Sequence, residues 1–140
     1  MSDTRRLIFD QRERVGDWAK SRIANINTWG DSYNAIGCEK DGELIAACIF
    51  NNYTGWDIEV HLASNGSRLW MPRKGLYACF HYPFIQLGCL RMTGCVASKN
   101  EASRNIAEHL GFRLEGVKRH AVPDDDLCIY GILRSECRYL

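Results

Sequence analysis

The chain has 140 residues, of which 25% are charged and 46% belong to the AVILMFWYC set, the balance of an ordinary globular protein and enough for one domain spanning residues 1–140. Eighteen basic and 17 acidic residues leave a net charge of +1, which argues against a broad nucleic-acid-binding surface. No apolar run approaches the ~18–20 residues needed to cross a bilayer. The first six residues, Met1 to Arg6, lack the apolar core of a signal peptide, so the chain reads as cytoplasmic.

Residues 9–26 predict a helix, with Val15, Trp18, Ile23 and Ile26 roughly on one face. Trp29-Gly30-Asp31-Ser32 breaks it. Tyr33 to Glu39 predicts a strand. Lys40-Asp41-Gly42-Glu43 then supplies an Asp-Gly hairpin signal. Leu44 to Phe50 is apolar at every position, the pattern of a strand buried on both faces. Trp56 to Ala63 alternates: Ile58, Val60 and Leu62 fall on one face, and Asp57, Glu59 and His61 on the other. These three strands make an antiparallel meander.

Pro72 suits the first turn of a helix. Leu76, Cys79, Phe80, Pro83, Phe84 and Leu87 recur at helical spacing up to Gly88, with Pro83 expected to kink the last turn. Cys89 to Ala97 predicts a strand, and strand–helix–strand implies a parallel crossover. Asn100 is an N-cap residue for a short helix buried through Ala102, Ile106 and Leu110 and closed by Gly111. Phe112 to Ala121 and Leu127 to Leu133 predict two final strands joined across residues 122–126. The order α-β-β-β-α-β-α-β-β gives an α+β (α/β) fold: a mixed, mostly antiparallel sheet with flanking helices and a central parallel crossover.

Seven cysteines, an odd number with no C-x-x-C pair, suggest neither a disulfide framework nor a zinc site. They read as buried hydrophobes in a reducing compartment, and no metal cofactor is expected.

Asn100-Glu101-Ala102-Ser103 followed by Leu110-Gly111-Phe112 and Glu115-Gly116 resembles the end of the GNAT acyltransferase domain. It is similar to the branch that acetylates ribosomal-protein N-termini, and residues 61–84 and 136–140 look like short phage-encoded members. The resemblance implies acetyl-CoA as donor, a primary amine as acceptor (a protein N-terminus, a lysine or a small amine), and a host cytoplasm if the chain is viral. In the family the third meander strand and the crossover strand splay, and the pantetheine arm lies between them as a pseudo-strand. That maps the arm onto backbone near Val60, His61 and Leu62. A backbone amide after strand 56–63 would polarise the thioester carbonyl. The family's diphosphate loop is eroded here to Arg68-Leu69-Trp70-Met71-Pro72-Arg73-Lys74-Gly75, where one glycine remains. The surviving features are three cations, Arg68, Arg73 and Lys74, at a helix N-terminus, with amides around Gly75. Asn100 would contact the arm as well as cap its helix.

Acetyl transfer to an amine needs a base for the amine and a proton donor for the thiolate. A lysine amine with a pKa near ~10.4 is neutral about once in 2,500 at pH 7, an α-amine near ~8 roughly once in ten. The tyrosine acid that many relatives carry seven residues after the motif asparagine is Ala107 here. Ser103 matches the serine of N-x-x-S and would assist the leaving thiolate. His61, with the intrinsic range of an imidazole, and Glu59 are the candidate bases. Glu115, His120 and Asp124 are weaker candidates that border the acceptor cleft. The alternative reading is a non-catalytic protein of the same fold that targets a host factor. An exposed Trp or Tyr near the C-terminus could serve a homodimer.

Overall fold

A computed structural model describes residues 3–23, 26–66 and 70–140. Its elements run β1 (Arg6–Ile8), α1 (Arg12–Lys20), β2 (Tyr33–Lys40), β3 (Glu43–Asn51), β4 (Asp57–Ser64), α2 (Arg73–His81), β5 (Arg91–Ala97), α3 (Glu101–Leu110), β6 (Arg113–Val122) and β7 (Asp125–Leu133). The strands form one seven-stranded sheet in the order β1-β2-β3-β4-β5-β7-β6. Every neighbouring pair is antiparallel except β4 and β5, the parallel pair that the crossover requires.

The meander forms for the reasons its residues suggest. Asp41 and Gly42 both take positive φ, 54° and 81°, so the two-residue turn matches the twist of the strands it joins and seats Lys40 opposite Glu43. Leu44 to Asn51 is buried throughout, because helices or their loops cover both faces of β3. On one face α1 packs Val15 and Ala19 against Ala35, Ala47, Ile49 and Ala63. On the other, α2 and α3 cover Cys48, Phe50, Ile58, Val60, Met92 and Tyr130.

Four local expectations need correction. The first helix spans only Arg12–Lys20, and the apolar residues beyond it serve a loop. That loop turns Trp29 inward, where its indole N–H donates to the Gly16 carbonyl at 2.8 Å. The chain also opens with β1, three residues paired to the edge of β2 and too short to leave an alternating pattern. The helix after Pro72 gives way at Pro83 to a π-helical turn, Tyr82–Gln86, in which the Leu87 N–H reaches the Tyr82 carbonyl at 3.0 Å. Proline has no N–H to give the normal ladder, and the wider turn absorbs the gap. Finally, the connection between β6 and β7 is a tight turn at Pro123-Asp124, with Val122 paired to Asp125, rather than a five-residue loop.

Gly75 sits where α2 lies close to β1. A Cβ there would meet the Met71 side chain, with Sδ at 2.5 Å, and Leu7 Cδ2 at 2.9 Å. Gly75→Ala should therefore destabilise the protein by about 1–3 kcal/mol through overpacking, less the small gain in helix propensity. A urea midpoint equal to or above that of the parent chain would contradict this.

Candidate active site

The parallel pairing of β4 with β5 covers Asp57 to Val60 against Arg91 to Gly94 and stops there. Both strands continue, β4 to Ser64 and β5 to Ala97, but they diverge. The backbone groups exposed by this divergence can be named from the register on the outer sides. The Asn65 N–H donates to the Ile45 carbonyl at 3.0 Å, and the β3–β4 ladder runs without a bulge from there. Alternate residues of an antiparallel ladder bond to alternate sides, so Ala63 and His61 bond β3 while Leu62 and Ser64 turn their N–H and C=O toward β5. The Ser98 N–H donates to the Asp126 carbonyl at 2.9 Å, which by the same count turns Cys95 and Ala97 toward β4. Leu62, Ser64, Cys95 and Ala97 thus turn backbone groups toward a gap beyond the last β4–β5 pair, although the Ala97 carbonyl already accepts the Asn100 N–H at 2.9 Å. The gap is a cleft of about 260 Å³.

The start of α3 closes one end of this cleft. Asn100 caps the helix, its side-chain oxygen accepting the Ser103 N–H at 3.2 Å. The oxygen is committed to the cap, and the amide nitrogen remains to meet another group. Asn100, Ser103, Ile106 and Ala107 all border the cleft together with Val60, His61 and Leu62. Ala107, where relatives carry a tyrosine, is buried and leaves space.

His61 is 5% exposed and stands on the opposite face of β4 from Leu62. Its Nε2 lies 2.8 Å from Asn51 Oδ1 and 3.7 Å from Glu59 Oε2, and Trp29 lies over the ring at 5.0 Å. Glu59 accepts from the Asn52 amide at 2.8 Å. The His61 imidazole beside it holds the Glu59 carboxyl below its ordinary value, aided by Asn52 and the charge of Lys118 and opposed by burial. Glu59 therefore stays ionised, a partner for a cation rather than a base for an ammonium. Beside it, Asp57 is held by the Thr93 hydroxyl at 2.8 Å. Arg91 bridges to Glu115 at 2.7 Å, an ion pair that keeps its guanidinium charged. Asp57, Glu59 and Arg91 are half-buried here, and Glu115 is exposed.

The expected diphosphate residues are not drawn to the cleft in the same way. Arg68 lies outside the described residues. Arg73 is exposed with its guanidinium 5.8 Å from the Tyr77 ring centre, and Lys74 borders a separate groove with Phe9, Asn34 and His81. Gly75 is corrected: its N–H already donates to the Pro72 carbonyl at 2.8 Å, and its bare face is filled by Met71 and Leu7. Residues that the sequence reading missed are Arg22, Ser64, Gly66, Cys95 and Ala97, all at the cleft. Counting the strand register outward from an apolar run would have found the three strand residues. Nothing local marks Arg22. Burial pushes the Cys95 thiol up to about 11, reinforced by the charge of Glu59. Among the described residues no cluster of His, Cys, Asp and Glu fits a metal ion, and no helix is long and apolar enough to cross a membrane.

The cleft thus lies between two diverging parallel strands and is closed by a capped helix. A profile of the acetyltransferase (GNAT) domain matches residues 4–113, and the chain belongs to that family of acetyltransferases. The fold is similar to a variant of the spermidine N-acetyltransferase SpeG from Vibrio cholerae, at TM-score 0.73 and 17% identity over 99% of this chain and 98% of that one. It is similar to yncA from Salmonella typhimurium, solved with its cofactor acetyl-CoA, at TM-score 0.69 and 17% identity over 94% of each chain. It also resembles the N-acetyltransferase PseH of Campylobacter jejuni, in complex with acetyl coenzyme A, at TM-score 0.57 and 15% identity over 74% and 70%. No curated protein sequence matches the chain.

Two outcomes follow from this geometry. Asn100→Ala should cost about 1 kcal/mol and lower the melting temperature by about 3 °C, while Asn100→Asp, which keeps a capping oxygen, should not. For Glu59, the folded-state pKa lies below the unfolded value, so its contribution to stability is present above about 4.5 and is lost as the pH falls through the folded value. Acid titrations of stability should accordingly be shallower for Glu59→Gln than for the parent chain below that pH.

Proposed function

We propose that the chain moves an acetyl group from acetyl-CoA to a primary amine, across the gap between β4 and β5. The observation that carries this reading is the backbone of Leu62, Ser64, Cys95 and Ala97 that faces the gap beyond the last β4–β5 pair. An amide-bearing pantetheine arm supplies the missing strand partners by β-augmentation. Asn100 meets the arm through its amide nitrogen, and the diphosphate lies beyond Ser64 and Gly66, at the mouth. Arg73 and Lys74 lie outside the cleft, in the first turn of α2, whose amides lack intrahelical acceptors, and would reach the diphosphate from there. Arg68 stays in the proposal as a third cation.

The chemistry then divides between the two sides of β4. Leu62 presents its N–H to the gap and is the natural donor to the thioester oxygen. His61, on the acceptor side, takes the proton of the incoming amine. Glu59 stays ionised and stabilises the imidazolium that forms. Ser103 polarises the leaving sulfur or relays a proton to it in place of the absent tyrosine. Cys95 also borders the cleft, but a thiol near 11 is about one part in a thousand thiolate at pH 8, so transfer is direct and needs no acetyl-cysteine. A cationic acceptor suits the carboxylates of Asp57, Glu59 and Glu115. Small polyamines and N-terminal peptides are both to be tried, the former because a similar structure is a spermidine enzyme and the latter because of N-x-x-S. Seven free thiols, all unpaired, suit a reducing cytoplasm.

The test is release of free thiol from acetyl-CoA on addition of an amine panel. Ser103→Ala should lower turnover by about 10- to 100-fold with cofactor affinity unchanged, Arg73→Ala with Lys74→Ala should weaken cofactor binding, and Cys95→Ala should retain turnover. The empty tyrosine position favours one other reading, a non-catalytic binder of a host factor. Acetyl-CoA binding with no amine-dependent thiol release across the panel would favour that reading.

A further inference from the structure

We propose that Asn51 sets the tautomer of His61, so that Nδ1 is the ring atom that takes the acceptor's proton; this rests on the reading of His61 as the base. Asn51 lies on β3 directly across from Glu59, two residues before His61 on β4. It is 6% exposed and makes two side-chain contacts. Its Nδ2 donates to the Trp29 carbonyl at 3.2 Å, and its Oδ1 lies 2.8 Å from His61 Nε2. A main-chain carbonyl only accepts, so the Asn51 amide must turn its NH₂ group toward Trp29. The opposite flip would press two acceptor oxygens together in a buried site. Oδ1 is then fixed toward the imidazole, and it too only accepts.

Nε2 must therefore carry a hydrogen. Its second neighbour, Glu59 Oε2 at 3.7 Å, is also an acceptor and asks for the same hydrogen. A neutral imidazole holds one N–H, so the lone pair resides on Nδ1. Among the described residues, Nδ1 has no hydrogen-bond partner, yet no buried side-chain nitrogen or oxygen goes unsatisfied. Nδ1 thus meets none of the described polar groups, and the space that His61 borders is the cleft. Trp29 beside the ring, tilted by 53°, restrains the imidazole plane.

The proton accounting is simple. The acceptor nitrogen bonds to the acetyl carbon, the carbon–sulfur bond breaks, and the sulfur leaves as thiolate. Nδ1 takes one proton from the nitrogen and later releases it to water, and the thiolate takes one proton from water through the Ser103 hydroxyl. Asn51 is a positioning residue and touches no substrate. The charged and titratable groups around His61 are Glu59 on β4, Cys95 on β5, Lys118 on β6 acting through Glu59, and Arg22 after α1 at the cleft.

The experiment is two-bond nitrogen–proton NMR on the imidazole-labelled full chain above its titration, with pH–rate profiles of the same samples. The parent chain should show His61 as the Nε2–H tautomer. Asn51→Leu should lose that bias and lower kcat about tenfold or more, with KM changed little. Asn51→Asp keeps an acceptor at the same place and adds a charge. It should retain the tautomer and move the acid limb of the rate profile upward, and it checks the inference should the leucine variant fold poorly. An Nδ1–H tautomer in the parent chain, or an Asn51→Asp profile superimposed on the parent's, would overturn the inference while leaving His61 as the base. Full turnover in His61→Gln would instead remove the reading of His61 as the base, whatever its tautomer.

Discussion

Everything at the site depends on one interruption in a hydrogen-bond ladder. A parallel pair of strands satisfies its backbone only while it stays in register, and β4 and β5 stay in register for four residues each. Beyond Val60 and Gly94 the outer neighbours still hold each strand, β3 on one side and β7 on the other. The strands therefore remain strands, but their inward-facing amides and carbonyls no longer pair with each other. Unpaired backbone in a concave setting favours a ligand that carries amides of its own. The surrounding fold keeps this gap open without collapse: α3 closes it below, and the meander holds β4 from the other side.

The same interruption separates two environments. One face of β4 carries Ile58, Val60 and Leu62 into the core beneath α2 and α3. The other carries Asp57, Glu59 and His61. The polar residues on that face are not simply solvated. Thr93 holds Asp57, Arg91 holds Glu115, and Asn52 and His61 hold Glu59. Such a network keeps carboxylates ionised and fixed in position. Ionised carboxylates held in this way attract a positively charged group more readily than they abstract a proton from it.

The α2 segment shows how packing can take over a residue type that elsewhere serves a ligand. Gly75 stands where a phosphate-binding loop would place a glycine, but Met71 and Leu7 fill the space a side chain would need. Its amide turns back to Pro72. With that glycine committed to the fold, the first turn of α2 offers an anion only its charges and the amides of Arg73 and Lys74.

The sequence alone was enough for elements whose cause is local. Asp41-Gly42 needs positive φ at both residues, Asn100 and Gly111 bracket a short helix, and the alternation over 57–62 sorts β4 into two faces, so these were legible without neighbours. The N-x-x-S and Leu-Gly-Phe residues were enough for the family, because they sit in one continuous stretch. Elements with non-local causes were not legible. β1 exists only as an addition to the edge of β2, α1 stops where Trp29 folds back on it from the following loop, and Pro83 yields a π turn because the surrounding core holds the chain in place. At the site, Ser103 and His61 could be chosen as residue types, but their surroundings could not. Asn51 meets His61 only because the β3–β4 register sets it two residues away across the ladder. Cys95 and Ala97 face the gap only because β7 occupies their strand's other side. Residue chemistry is carried by the chain itself; hydrogen-bond direction, burial and charge are set by which strands become neighbours, and only the tertiary structure decides that.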